Sequence, residues 1–131
     1  LQLLTVVDVV LDTIHFGAGT TSLMALGMGA PVVTWPGAYM RGRSTYACYK
    51  QMGVMDCVAV SKREYVKLAV RLGTDSVYRE AVKAKIVAKN QALYEATDIV
   101  EAYERFFVRA VEEARTGSGK LAGRVGRTKT R

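Results

Sequence analysis

A chain of 131 residues, half of them hydrophobic, can bury one core and is too short for several. The net charge of +7 is concentrated, since residues 116–131 hold five Lys or Arg and no acid while the first 115 balance 14 basic against 12 acidic side chains, which excludes a uniformly basic, nucleic-acid-coating domain. No apolar run approaches the ~20 residues of a membrane helix before Asp, Gly or Pro breaks it, and no signal-peptide pattern opens the chain, so a cytoplasmic protein without a membrane partner is expected.

Leu1 to Leu11 is mostly apolar and lacks an initiator Met. It reads as the interior of a domain rather than a free start. Val6 to Leu11, VVDVVL, is β-branched and suits a buried first strand. Asp12 to Gly19 forms a turn-rich loop ending Gly17-Ala18-Gly19. Thr20 and Thr21 open a helix to about Met28, and Gly29-Ala30-Pro31 ends it. Val32 to Trp35 reads as a second strand and Pro36-Gly37 as a turn. A helix is expected from Arg43 to Met52, then a short third strand from Cys57 to Val60. Ser61 and Glu64 form a capping box for a helix to about Leu72. Asp75 caps the next, to about Leu93, with Val77, Ala81, Ala84 and Ala88 on its apolar face. Thr97 or Asp98 caps the last, to about Ala114, with Ile99, Tyr103, Phe106, Phe107 and Ala110 as its apolar side. Residues 116–131 are Gly-rich, basic and aperiodic, and read as disordered.

This order predicts an α/β fold, a partial Rossmann-like parallel sheet followed by C-terminal helices. Three short strands leave exposed edges, and the last helix an apolar face, so self-association is expected. Residues 1–115 are read as the folded part and 116–131 as a tail. The tail lacks interleaved aromatic side chains, so nucleic acid is not the expected partner. Cys48 and Cys57 have no metal-ligand spacing with each other or with His15, so neither metal nor cofactor is expected; both thiols read as small hydrophobes.

The chemistry lies between Leu11 and Gly37. A strand ends in a glycine loop that feeds a helix N-terminus, where unpaired backbone N–H groups and the macrodipole favour an anion. Gly17 and Gly19 would let the backbone approach a phosphate, with Thr20 and Thr21 adding hydroxyls. Equally, the glycines could serve only the sterics of the turn. GAGTTS places Ser22 where a dinucleotide fingerprint needs Gly or Ala, and it lacks the lysine of a P-loop. Asp12 and Thr13 are read as holding the loop by side-chain to backbone hydrogen bonds, with catalysis by Asp12 the lesser alternative. His15 is read as a loop residue near the cleft, Trp35 as a strand-end core residue. Tyr39, Arg41, Arg43 and Tyr46 form either a basic-aromatic patch or a solvated loop. No catalytic residue is singled out.

The order of the whole stretch resembles the donor-binding lobe of GT-B glycosyltransferases, and more closely the protein O-linked N-acetylglucosamine transferase family, its SPINDLY-like group. The shared elements are Leu11-Asp12-Thr13, Gly19-Thr20-Thr21, Ala25-Leu26, Gly29, Pro31, Val33-Thr34 and Pro36-Gly37. They continue through Arg43 and Gly53 to EYVKLAVRLGTD at Glu64 to Asp75, so the similarity runs from about Asp8 to Phe107. It implies a UDP-sugar donor, usually UDP-N-acetylglucosamine, and a protein Ser or Thr hydroxyl as acceptor. The family's pyrophosphate contacts carry over to Gly19, Thr20 and Thr21, and its arginine after the Pro-Gly turn to Arg43; Asp12, His15 and Ser22 would line the same cleft. Many members have His at the position of Gly19. The family's ribose-binding Asp falls on Met24, which cannot accept a ribose hydroxyl. The family's phosphate lysine, other lobe and tetratricopeptide repeats have no counterpart within these residues, so the chain alone is expected to be inactive. A non-catalytic module that kept the fold is the rival.

Overall fold

The computed structural model describes residues 2–94 and 97–116. It divides into two compact units, residues 1–95 and 96–131, each described by itself. The disorder expected for the basic tail concerns residues outside the described set from residue 117 onward.

The first unit is helix-rich around a very small parallel sheet. Helix α1, Gln2–Val6, leads to strand β1, Val10–Leu11. Helix α2, Gly19–Gly27, then crosses to strand β2, Val32–Val33, with Val10 opposite Val32 and Leu11 opposite Val33. Val10 N donates to Pro31 O at 2.8 Å and Asp12 N to Val33 O at 2.9 Å. A single parallel bridge, Thr34 to Val58, continues the sheet on the other side. The parallel α/β order holds, but the strands are much shorter than the sequence suggests. Val6 belongs to α1, and Asp8 interrupts VVDVVL by turning out to Arg79 at 3.1 Å. Only Val10 and Leu11 have a partner, because β2 is confined between Pro31 and the Pro36 turn. The expected third strand, Cys57 to Val60, is reduced to the bridge at Val58.

Helix α3 spans Ser44–Met52, α4 Lys62–Thr74 and α5 Ser76–Lys89, followed by a 3-10 turn over Asn90–Leu93. The N-caps expected for α4 and α5 are formed. Ser61 Oγ accepts from Glu64 N at 3.2 Å, and Glu64 reaches back to the amide of Val60 at 2.8 Å. Asp75 Oδ1 accepts from Tyr78 N at 2.9 Å.

The core gathers Leu26, Val32, Val33, Tyr49, Cys57, Leu72, Val82 and Ile86, all essentially inaccessible. Burying each larger aliphatic side chain contributes roughly 1.5–3 kcal/mol. Tyr49 lies fully inside because its hydroxyl accepts the amide of Val32 at 2.8 Å. The face expected for α5 is wrong: Val77, Ala81, Ala84 and Ala88 are exposed, and Val82 and Ile86 go inward. Two side chains one turn apart that are larger than alanine bury more apolar area than an alanine stripe does, and they decide the helix's rotation. In the second unit α6, Thr97–Arg115, carries Tyr103 and Phe106 against Phe107, with ring centroids 6.2 and 5.5 Å away.

Candidate functional site: the loop between the first strand and the second helix

Asp12 follows β1 and is 3% exposed. One carboxylate oxygen accepts Ala18 N at 2.8 Å, the other Thr34 Oγ1 at 2.8 Å. Its carbonyl accepts the hydroxyl of Tyr65, on α4, at 2.8 Å. Burial, and then the negative charge of Asp12, hold the Tyr65 phenol above its usual range, so it stays a donor. Asp12 thus ties the glycine loop to β2 and α4, the holding role read from the sequence. Thr13 Oγ1 donates to Phe16 O within the loop.

Gly17 is buried, and its amide donates to Arg41 O at 2.7 Å. A Cβ there would stand 3.3 Å from that carbonyl and 3.5 Å from the Asp12 carboxylate. Its glycine therefore serves close packing, and its amide is not free for the phosphate that the sequence reading gave it. Gly19 starts α2 with φ of 40° and open space where a Cβ would be. Among the described residues the amides of Gly19 and Thr20 donate to nothing, whereas Thr21 N donates to Ala18 O at 2.8 Å. The side chains of Thr20 and Thr21 are exposed. Two free amides and two hydroxyls thus cluster at the positive end of a two-turn helix.

The helical period sorts the remaining residues. Ser22, Ala25 and Leu26 face inward, and Ser22 Oγ accepts Thr45 Oγ1 at 2.8 Å inside the core. Ser22 is therefore a helix-packing group rather than the cleft residue expected. Met24 lies outward, 46% exposed, one turn after Thr20. Thr45 and Tyr65, which the sequence reading did not single out, anchor the loop and helix from behind; the family motif named Thr34 without its role. A hydroxyl inside an apolar pattern was their only signal.

A second loop flanks the first. Arg41 Nε donates to His15 O at 3.3 Å, and Arg43 Nη1 to Gly37 O at 2.8 Å. The guanidinium of Arg41 lies 4.6 Å over the Tyr39 ring, that of Arg43 4.8 Å over Tyr46. The basic-aromatic patch therefore exists as two stacked pairs. Arg43 is committed to bracing the Pro36-Gly37 turn from which the loop departs. Trp35 is half-buried rather than core and, with His15, Tyr39 and Arg41, walls a cavity of about 410 Å³.

Comparison with known proteins identifies the family and agrees with the fold. The sequence pattern of glycosyl transferase family 41 matches residues 3–101. The UDP-N-acetylglucosamine–peptide N-acetylglucosaminyltransferase of Caenorhabditis elegans is 38% identical over 79 residues, covering 60% of this chain and 7% of that protein. The Giardia intestinalis protein of that name is 34% identical over 88 residues, covering 67% of this chain and 6% of its own length. A solved structure of a mutant Thermobaculum terrenum O-GlcNAc transferase aligns with a TM-score of 0.69 and 31% identity, over 86% of this chain and 24% of that one. The chain spans less than a tenth of the curated relatives' length. A match from residue 3 to residue 101, over a loop and helix built as described, places the chain in glycosyl transferase family 41.

Proposed function

We propose that this chain supplies the donor-phosphate end of a longer glycosyltransferase that moves N-acetylglucosamine from UDP-N-acetylglucosamine to Ser or Thr hydroxyls of proteins. The observation that carries the reading is the pair of unpaired amides, Gly19 and Thr20, beside the exposed hydroxyls of Thr20 and Thr21 at the start of α2. As the sugar leaves, negative charge grows on the departing UDP, and dipoles already aimed at that position stabilise it without reorganising. Arg43 stands behind the flanking turn, and Asp12 fixes the loop without touching the ligand. The parent protein is read as repeat-bearing, as the family resemblance implies, and as cytoplasmic from its composition. No helix among the described residues is long and apolar enough to cross a membrane.

Isothermal titration of UDP against the chain and against a Thr20→Val, Thr21→Val pair tests the site. Affinity should fall by about 1 kcal/mol or more, the usual net worth of a hydrogen bond. Equal affinity would remove the assignment. The exposed thioether at Met24 favours one second reading, a non-catalytic module in which ribose recognition is lost. Self-association of the chain through the apolar side of α6 belongs to the same proposal. Light scattering over a dilution series should show a dimer that Phe106→Glu dissociates, and a monomer at every concentration would discard it.

A further inference from the structure

The cavity between the two loops is lined by an unusual set of groups. Trp35, Pro36, Tyr39 and Ile14 give it apolar and aromatic walls, and His15 and Arg41, with the indole N–H of Trp35, are its only nitrogen-bearing side chains. Its lining contains no Asp, Glu, Asn, Gln, Ser or Thr. A sugar ring would ask for paired donors and acceptors around its hydroxyls, and this lining has almost no side-chain acceptor. What it offers is a flat cation against aromatic faces. Arg41 uses Nε on the His15 carbonyl and its plane on Tyr39, and among the described residues it has no acidic partner. Its two terminal nitrogens can take a carboxylate side by side. The cavity also adjoins the donor loop directly, because the carbonyl of Arg41 holds the amide of Gly17 at 2.7 Å.

Resting on the donor-site reading above, we propose that this cavity is an acceptor subsite, in which Arg41 holds an acidic side chain of the acceptor polypeptide while Trp35 and Tyr39 pack against its neighbour. The protein would then favour Ser or Thr hydroxyls that lie near Asp or Glu.

Trp35 is the only tryptophan of the chain, so its emission reports occupancy of the cavity directly. The probe is a nine-residue peptide with a central Ser flanked by Asp and Glu. The control peptide carries Asn and Gln in their place. The acidic peptide should change Trp35 emission saturably, and the control should bind about tenfold more weakly, as the loss of one charge-assisted contact requires. Arg41→Gln should remove that preference, and roughly 0.5 M salt should reduce it. Circular dichroism confirms that the variant is folded, and UDP titration of the same samples separates the two sites. Equal response to both peptides, or an undiminished preference in Arg41→Gln, overturns the subsite even where UDP still binds. An emission change with UDP-N-acetylglucosamine and none with peptide overturns it too, by giving the cavity to the donor.

Discussion

Removing the Asp12 carboxylate should cost more stability than any surface change near the loop. Asp12→Ala deletes the acceptor for Ala18 N and for Thr34 Oγ1, each held at 2.8 Å. Thr34 is buried, and water cannot replace the lost partner without opening the sheet. A buried donor left unsatisfied costs about 1–3 kcal/mol, so the buried Thr34 hydroxyl and the half-buried Ala18 amide together cost at most about 6 kcal/mol, a large part of the 5–15 kcal/mol typical of a domain. Loss of a negative charge beside the α2 N-terminus adds a few tenths, about 0.3–1 kcal/mol. Asp12→Asn is the informative partner. It keeps an oxygen for Ala18 N and turns an amide toward Thr34 Oγ1, so it should lose only about 1 kcal/mol. Urea unfolding followed by circular dichroism, with a constant slope, measures both variants. An Asp12→Ala midpoint within about 0.5 kcal/mol of the parent protein, the range of ordinary surface changes, would refute the anchoring role. An Asn variant as weak as the Ala variant would show that charge, not hydrogen bonding, holds the loop.

Two further outcomes are expected. Met24→Asp should tighten UDP binding by about 1 kcal/mol in a calorimetric titration, the worth of one regained hydrogen bond, and unchanged affinity would mean that residue 24 does not face the ribose. Desolvation pushes the Cys57 thiol up to about 11, the neighbouring Tyr49 partly opposing it. The unfolded chain ionises at the ordinary thiol value and so binds fewer protons above it. Stability should therefore be complete below pH 8.5, near the usual thiol value, and fall as pH rises toward about 11. The slope is up to about 1.4 kcal/mol per pH unit, and denaturant midpoints across that range should flatten in Cys57→Ala.

Much of the scaffold was legible because its signals are local. Ser61 with Glu64, and Asp75 before α5, give caps that depend on three neighbouring residues. The helices they start lie where the sequence puts them, within two residues for α4. The strands were overread because β propensity says nothing about partners. VVDVVL has the right residues, yet Asp8 and the brevity of β2 leave Val10 and Leu11 as its paired part. The rotation of α5 was misread for a related reason. Counting apolar positions gives alanine the same weight as Val82 and Ile86, while burial weighs area.

The site itself divides along the same line. That a glycine loop feeds a helix N-terminus is a local pattern, and it is visible in GAGTTS. Which atoms of the loop remain free is a tertiary matter, decided by Asp12, Thr34 and Arg41 from three separate segments. Asp12 takes the amide of Ala18 and Arg41 takes that of Gly17. The helix's positive end is thereby already partly neutralised before any ligand arrives. On the proposed donor reading, a phosphate is held farther along the chain, by the amides of Gly19 and Thr20 and by hydroxyls on the outward face. The carboxylate that shapes the loop also limits how strongly the loop attracts an anion. That balance would suit the proposed site, which has to release UDP as well as stabilise it. On the same reading Thr20 and Thr21 share donor recognition with the free amide of Gly19, while Gly17 only shapes the loop.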